Sequence, residues 1–409
     1  MSTRGFSDPG LNAERVRRDN LGRVLRELHV AGSLSRSDLV ARALLDRSTI
    51  GALVEDLARR GLASETVGRG DGMPGRPSSL VNLREDGVRV LAMDIAAGSN
   101  AAAVIGLAGH VHRQVRFPRG GRRSVRATID SLLPPVRDLL ATAGGRSTIA
   151  VGIAVAGVVS RSDGVVDTAP GLGWEGVPLA ELVADRLDLD LPVYVGNEAD
   201  LGARAEHVRG AGVGVDELLY VSGEIGGGAI LDGRSLASQD GPLCEFGHIP
   251  VNPEGERCEC GSIGCWCTEV GAGALLRRAG VSSGRGDAGS SGPGLEQVIR
   301  VAASGEPQAL RALDTEARWL GIGLAGLLNV LGPRRIVLGG FLARIYPYVI
   351  DRLRDEVDRR ALRTARANLE IVPGRLGEDA ALLGAAELAL EPLLQDPTLV
   401  STAEITPDS

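Results

Sequence analysis

The sequence predicts an α/β protein fronted by a winged helix-turn-helix, and three observations carry that expectation. Three helical hydrophobic patterns stand close together near the N-terminus, and two strand-like runs follow them. From about residue 86 to about residue 395, strand and helix patterns alternate. Within that body, a short stretch from Cys244 to Glu269 gathers all five cysteines of the chain beside a histidine and several glutamates. At 409 residues there is length for roughly two or three domains.

Taken in order, residues 1–14 read as a tail and 15–85 as the front module. Leu21, Val24, Leu25 and Leu28 repeat at helical spacing, with Gly32 as a stop. Ser35 and Asp38 form a capping-box-like start for a second helix through Ala43. Ile50, Leu53, Val54 and Leu57 repeat the spacing after Asp46, and Gly61 closes this third helix. The few residues between helices two and three are the tight connection of a helix-turn-helix. Residues 62–67 and 79–83 read as strands joined by a loop rich in Gly, Pro and Arg, which makes a wing. The third helix opens on Arg47, Ser48, Thr49, Gly51 and Ala52, one cation and small residues suited to entering a major groove. In the wing loop, Arg69 and Arg76 stand in a Gly/Pro frame suited to a minor groove. The bland alternative is a three-helix packing module with a solvated arginine loop.

Charge supports a division of labour. The chain carries −7 overall, but residues 1–80 hold 13 Arg against 10 Asp and Glu, leaving +3 in front and −10 behind. A small basic head on an acidic body permits nucleic-acid binding by the head alone. All 45 basic residues are Arg, a mark of coding composition rather than of function. With no run of eighteen apolar residues and no charged-then-apolar leader, the chain is expected to be cytoplasmic.

The body, residues 86–395, begins with apolar runs at 88–95, 100–107 and 111–117, then a helix near 125–143 and a strand at 148–155. Later come a Gly/Ser-rich insert at 282–294, an apolar helix at 320–331, a strand-turn ending in Gly340 and a last helix at 380–390, with a loose tail from 396. Inside the body, His248 is followed by Cys258, Cys260 and Cys265 in the order His-x9-Cys-x-Cys-x4-Cys. Three thiolates and one imidazole make a complete tetrahedral zinc set, with no open position for a catalytic water. Gly261 and Gly264 permit the tight turns this needs. The alternatives are reduced surface thiols or a disulfide, the latter disfavoured in a chain lacking a secretion signal.

Glu245-Phe-Gly-His248 followed by Cys258-x-Cys260-Gly-x-x-Gly-Cys265 resembles the signature of the ROK family, bacterial sugar kinases and sugar-responsive repressors. The front segment, from Asn20-Leu-Gly-Arg through Asp46-Arg-Ser-Thr-Ile to Gly75-Arg-Pro, is similar to the winged-helix head of the repressor branch, which includes repressors answering to xylose. The resemblance implies a two-lobed actin-like (ribonuclease H-like, sugar kinase) body over 86–395, with zinc on His248, Cys258, Cys260 and Cys265. It implies sugar hydroxyls on Glu245 and His248, and on Asn197 and Glu198 of the Asn197-Glu198-Ala-Asp segment. Asn197 and Glu198 have a plainer alternative, a helix-start Asn beside an ion-paired Glu. The family's sugar-binding Glu two residues after the last zinc cysteine is Cys267 here, and Glu269 is the substitute.

Three kinase features are altered. In Asp94-Ile-Ala-Ala-Gly-Ser-Asn, Ala96 replaces the Gly and Gly98 the Thr of the family's Asp-x-Gly-x-Thr phosphate turn. Glu224 puts a carboxylate in the second phosphate loop, Ser222-Gly-Glu-Ile-Gly-Gly-Gly. Glu198 stands where the kinases carry the Asp that takes the sugar proton. The expectation is a regulator rather than an enzyme: a repressor of sugar-metabolism genes, binding double-stranded operator DNA as a homodimer or homotetramer and controlled by a small sugar. The alternative is a sugar kinase with an appended DNA-binding domain.

Overall fold

The computed structural model describes residues 9–67, 79–96, 98–118, 124–142, 148–188, 190–223, 225–236, 244–281 and 292–401. Helix α1 (Pro9–Ala31) opens the chain, starting within the stretch expected to be a tail. A three-residue strand β1 (Ser33–Ser35), unforeseen in the sequence, precedes α2 (Arg36–Ala43), and α3 (Arg47–Arg59), β2 (Ala63–Val67) and β3 (Ser79–Leu83) follow. The caps form as the sequence requires: Ser35 and Asp38 make a reciprocal capping box, and Asp46 accepts from the Thr49 N–H at 2.9 Å. The strands pair antiparallel in the order β1-β3-β2. Leu21, Leu25, Leu28, Leu39, Ile50, Leu57 and Val81 close a core between the three helices and this sheet.

The body is mixed α/β, as expected. Its first part holds β4 (Arg89–Ile95), β5 (Ser99–Gly106), β6 (Val111–Pro118), α4 (Val125–Thr142), β7 (Thr148–Val155), β8 (Val158–Ser160), β9 (Val165–Ala169), β10 (Trp174–Pro178), α5 (Leu179–Leu187), β11 (Val193–Asn197) and α6 (Glu198–Arg209). The second holds β12 (Leu218–Ser222), β13 (Gly226–Leu231), β14 (Arg234–Ser235), α7 (Trp266–Glu269), α8 (Ala272–Arg278), α9 (Pro293–Ala303), α10 (Pro307–Leu331), β15 (Arg335–Leu338), α11 (Gly340–Arg360), α12 (Arg363–Arg366), β16 (Glu370–Pro373) and α13 (Ala380–Gln395). Two five-stranded sheets run β6-β5-β4-β7-β11 and β14-β13-β12-β15-β16. Each is an antiparallel three-strand meander extended by two parallel strands, so the body repeats one plan twice without visible repetition in its sequence.

Helix α13 joins the parts. Its Leu388, Leu390, Leu393 and Leu394 share one apolar cluster with α1 and with β4 and β5. Gly22 of α1 sits so close to the end of α13 that a Cβ there would lie 2.6 Å from the Gln395 carbonyl oxygen. The segment after α13 corrects the expectation of a loose tail from 396: Pro397–Leu399 form a 3-10 turn, Val400 is buried, and its carbonyl accepts from Arg60, which caps the end of α3, at 2.7 Å. The insert expected at 282–294 is also shorter, since α9 begins at Pro293 with Gly294 buried; residues 282–291 lie outside those described. Among the described residues, no helix is long and apolar enough to cross a membrane.

Candidate ligand cleft and metal loop

The loop between β14 and α7 is folded by short backbone bridges. Pro250 pairs with Cys265 and Arg257 with Ile263, while Gly261 and Gly264 take positive φ values of 94° and 69°. At Gly264 a Cβ would lie 1.6 Å from the Asn252 carbonyl oxygen, so the close return of the chain requires glycine there. This folding brings the donor atoms of His248, Cys258, Cys260 and Cys265 within 4.8 Å of one another. Cys258 Sγ is 3.7 Å from His248 Nδ1, and Cys260 Sγ is 3.5 Å from Cys265 Sγ. Three sulfurs and one imidazole nitrogen converging this way form a donor set that can hold a metal ion.

Glu245 precedes a 3-10 turn, Phe246–His248, that leads into this loop. Phe246 fixes the turn by seating its ring on β13, where a Cβ on Gly227 would fall 2.0 Å from it. Glycines 226–228 therefore lie in a strand and serve close packing: a Cβ on Gly226 or Gly228 would meet Ala199 or Ala203 of α6 at 2.9 and 2.7 Å. Tyr220 of β12 packs in the same manner against Gly339, where an added Cβ would meet its hydroxyl at 2.2 Å. Ala97 and Glu224, read above as parts of phosphate turns, lie outside the described residues.

Four carboxylates gather around the start of α6. Glu198, its first residue, is pushed up by burial and has no ion-pair partner among the described residues. Asp94 at the end of β4 is pushed up to about 7, by burial first and then by Glu198 and Asp379, with Arg116 opposing. Asp200 is likewise pushed up to about 7 by burial and by Glu245, against the pull of Arg161. Glu245 is raised by burial, with His248 acting in the opposite direction. Asp94 and Asp200 each keep an Oδ1 that is buried without a partner among the described residues. Asp94 is the Asp of the altered phosphate turn, whereas Asp200 and Arg161 carry no motif of their own. Asp200 was legible as a first-turn neighbour of Asn197, whereas Arg161 comes from the turn after β8 and reaches the group only through the fold.

The remaining site residues divide. Asn197 is engaged by the backbone: its Oδ1 accepts from the Ala199 and Asp200 N–H groups at 2.8 and 3.2 Å, and its Nδ2 donates to the Gly157 carbonyl at 2.8 Å. The helix-start alternative thus describes Asn197, while among the described residues no ion pair to Glu198 is found. Glu269 is buried with both oxygens occupied, accepting from Asn252 Nδ2 at 2.6 Å and Arg278 Nη2 at 3.0 Å. The residue expected to substitute for a sugar-binding Glu is thus already engaged within the protein. Trp174 is buried, as expected of a core ring.

In the front module, Arg47 is exposed at the start of α3. Ser48 and Thr49 donate their hydroxyl hydrogens to Asp46 at 2.5 and 2.6 Å, so toward a partner they offer acceptors. Gly51 is buried, with Arg36 Nη1 at 3.3 Å from where its Cβ would be, which removes it from the exposed face. Arg69 and Arg76 lie outside the described residues.

A network joins cleft and front module. Glu387 of α13 accepts from His29 Nε2 at 2.9 Å and from Arg209 Nε at 2.8 Å, while Arg209 Nη1 donates to the His29 carbonyl at 3.2 Å. His29 Nδ1 accepts from the Ala108 N–H at 3.1 Å, which leaves Nε2 as the donor to Glu387. Burial alone would raise the Glu387 carboxyl, but His29 and Arg209 hold it well below the ordinary carboxylate range. Helix α6 therefore begins among these four carboxylates and ends at the helix that opens the front module.

The xylose repressor of Caldicellulosiruptor bescii is 26% identical over 377 residues, spanning 89% of this chain and 93% of that one. The glucokinase of Streptomyces coelicolor is 31% identical over 316 residues, spanning 74% of this chain and 98% of its own length. Among solved structures, a ROK family transcriptional regulator described as a homologue of the E. coli MLC protein superposes with a TM-score of 0.76 at 24% identity, over 95% of this chain and 99% of that one. A ROK family glucokinase from Streptomyces griseus, in complex with glucose and AMPPNP, gives 0.64 at 29% identity over 74% of this chain and 99% of that one. The model of the ROK family matches residues 90–392, and the chain belongs to that family.

Proposed function

We propose that this chain is a sugar-responsive transcriptional repressor, in which a winged helix-turn-helix formed by α1–α3 and the β1-β3-β2 sheet reads operator DNA. A two-lobed, actin-like body binds the effector. The observation that carries this reading is that likeness to the xylose repressors extends along 89% of the chain, whereas the glucokinase likeness stops at 74%. Arg47, with Ser48 and Thr49 as acceptors, faces the major groove, and Arg69 and Arg76 contact DNA from the wing. Zinc on His248, Cys258, Cys260 and Cys265 stiffens the loop that supplies Glu245 and His248 to the sugar, with Glu198 opposite. In a homodimer or homotetramer, sugar in the cleft changes the spacing of two heads and so their fit to half-sites. Helix α6, about 18 Å long at 1.5 Å per residue, is the rod that carries the change to Arg209, Glu387 and His29.

A sugar kinase with an added head is the second reading, favoured by the 31% identity to a glucokinase. Against it stand Glu198 in place of the catalytic Asp and the loss of Gly and Thr at positions 96 and 98. Selection of bound duplexes from random DNA, repeated with a panel of aldoses, separates the two. A repressor enriches one palindromic sequence, loses it with one sugar and leaves that sugar unphosphorylated; a kinase with an added head phosphorylates the sugar with ATP, and its selected DNA does not respond to it.

A further inference from the structure

We propose that Cys267 is a reserve ligand of the metal loop, able to take the position of His248 on the same ion so that metal is retained when the imidazole withdraws. The proposal rests on the reading that this loop holds zinc. A tetrahedral ion with Zn–S bonds of about 2.3 Å sets its sulfurs about 3.8 Å apart, and with a Zn–N bond of about 2.05 Å it sets sulfur and nitrogen about 3.6 Å apart. Cys258 Sγ stands 3.7 Å from His248 Nδ1 and also 3.7 Å from Cys267 Sγ. Both side chains therefore sit one tetrahedral edge from the same thiolate. Cys260 and Cys265, at 3.5 Å, supply a further edge of the same size.

Cys267 lies outside the four donors that fall within 4.8 Å of one another, so it replaces His248 rather than joining it. It is also next to the residue it would relieve: a Cβ on Gly247 would be 3.4 Å from Cys267 Cβ. His248 is exposed and Cys267 half-buried against the core of the second sheet, so the imidazole is the ligand freer to turn away. In the exchange the Cys267 thiol gives its proton to solvent and its thiolate bonds the ion as the His248 nitrogen leaves. No oxidant is needed and the ion keeps four donors. A histidine asked both to hold metal and to touch a ligand could then do the second without forfeiting the first.

Cobalt(II) is the probe, bound to the full-length chain under reducing conditions in place of zinc, with metal content and sulfur-to-cobalt charge-transfer absorption as readouts. His248→Gln should keep one ion per chain, with absorption roughly one third stronger than that of Cys267→Ser, in proportion to four thiolates against three. The double variant His248→Gln/Cys267→Ser should hold metal far more weakly than either single variant. If His248→Gln loses metal as readily as the double variant, or keeps it with the three-thiolate intensity, the proposal is overturned while the metal site itself stands. If the unaltered chain binds neither cobalt nor zinc, the zinc reading falls and the proposal falls with it.

Discussion

Replacing Asp94 with Asn should stabilise the ligand-free protein, and only at neutral and alkaline pH. Asp94 is 8% exposed, its Oδ1 has no partner among the described residues, and burial together with Glu198 and Asp379 pushes its carboxyl from 3.8 up to about 7. Well below pH 3.8 the group is protonated both folded and unfolded, and it contributes nothing. As pH rises from about 4 to 7 the unfolded chain ionises freely while the folded one resists, so the penalty grows through that window and is complete above it. At 1.36 kcal/mol per pH unit, the interval from 3.8 to about 7 corresponds to about 4 kcal/mol, an upper scale for one group. Asn keeps the shape, lacks the charge and can donate to Glu198. Urea unfolding at pH 4 and pH 8 is the assay. The variant should nearly match the parent at pH 4 and exceed it by a few kcal/mol at pH 8. A variant no more stable at pH 8 would refute the claim that an uncompensated carboxylate is held in the cleft. Retaining such a destabilising group is what a site kept for ligand does, so the same variant should lose sugar affinity.

Three further perturbations follow from the geometry. Gly22→Ala forces a Cβ against the Gln395 and Leu394 carbonyl oxygens and should lower stability by about 1–3 kcal/mol, read as a lower melting temperature. Arg209→Ala leaves His29 as the hydrogen-bond partner of the buried Glu387 among the described residues, with Arg204 acting from further off; it should destabilise by about 3 kcal/mol and weaken the effect of sugar on DNA binding, while calorimetry finds sugar affinity retained. Arg47→Ala should reduce discrimination between operator and mutated operator by about 1–3 kcal/mol in fluorescence anisotropy, leaving affinity for unrelated DNA little changed.

What the sequence discloses is what is local. The Ser35–Asp38 capping box and the Asp46 cap act over three residues, so the starts of α2 and α3 were legible to the residue. The metal loop was legible because its donors lie within eighteen residues. Strand β1 escaped because three residues gain their pairing only from β3, far along the chain. The burial of Gly51 depends on Arg36 reaching across to Glu65, the occupation of Glu269 on Arg278 from α8, and the docking of Val400 on Arg60 at the end of α3. Glycines 226–228 mark a close approach without naming what approaches: the partners are Phe246 and α6. The doubled sheet plan is invisible in sequence because the two halves share topology and not residues.

Thermodynamic reciprocity gives the most direct test of a cleft wired to a reading head. The effector's dissociation constant should be measured calorimetrically with the free protein and again with the protein saturated with its selected operator duplex. If sugar weakens operator binding by some factor, operator must weaken sugar binding by the same factor, typically 5- to 150-fold. Equal sugar affinity with and without DNA, alongside brisk phosphorylation of that sugar, would contradict the account.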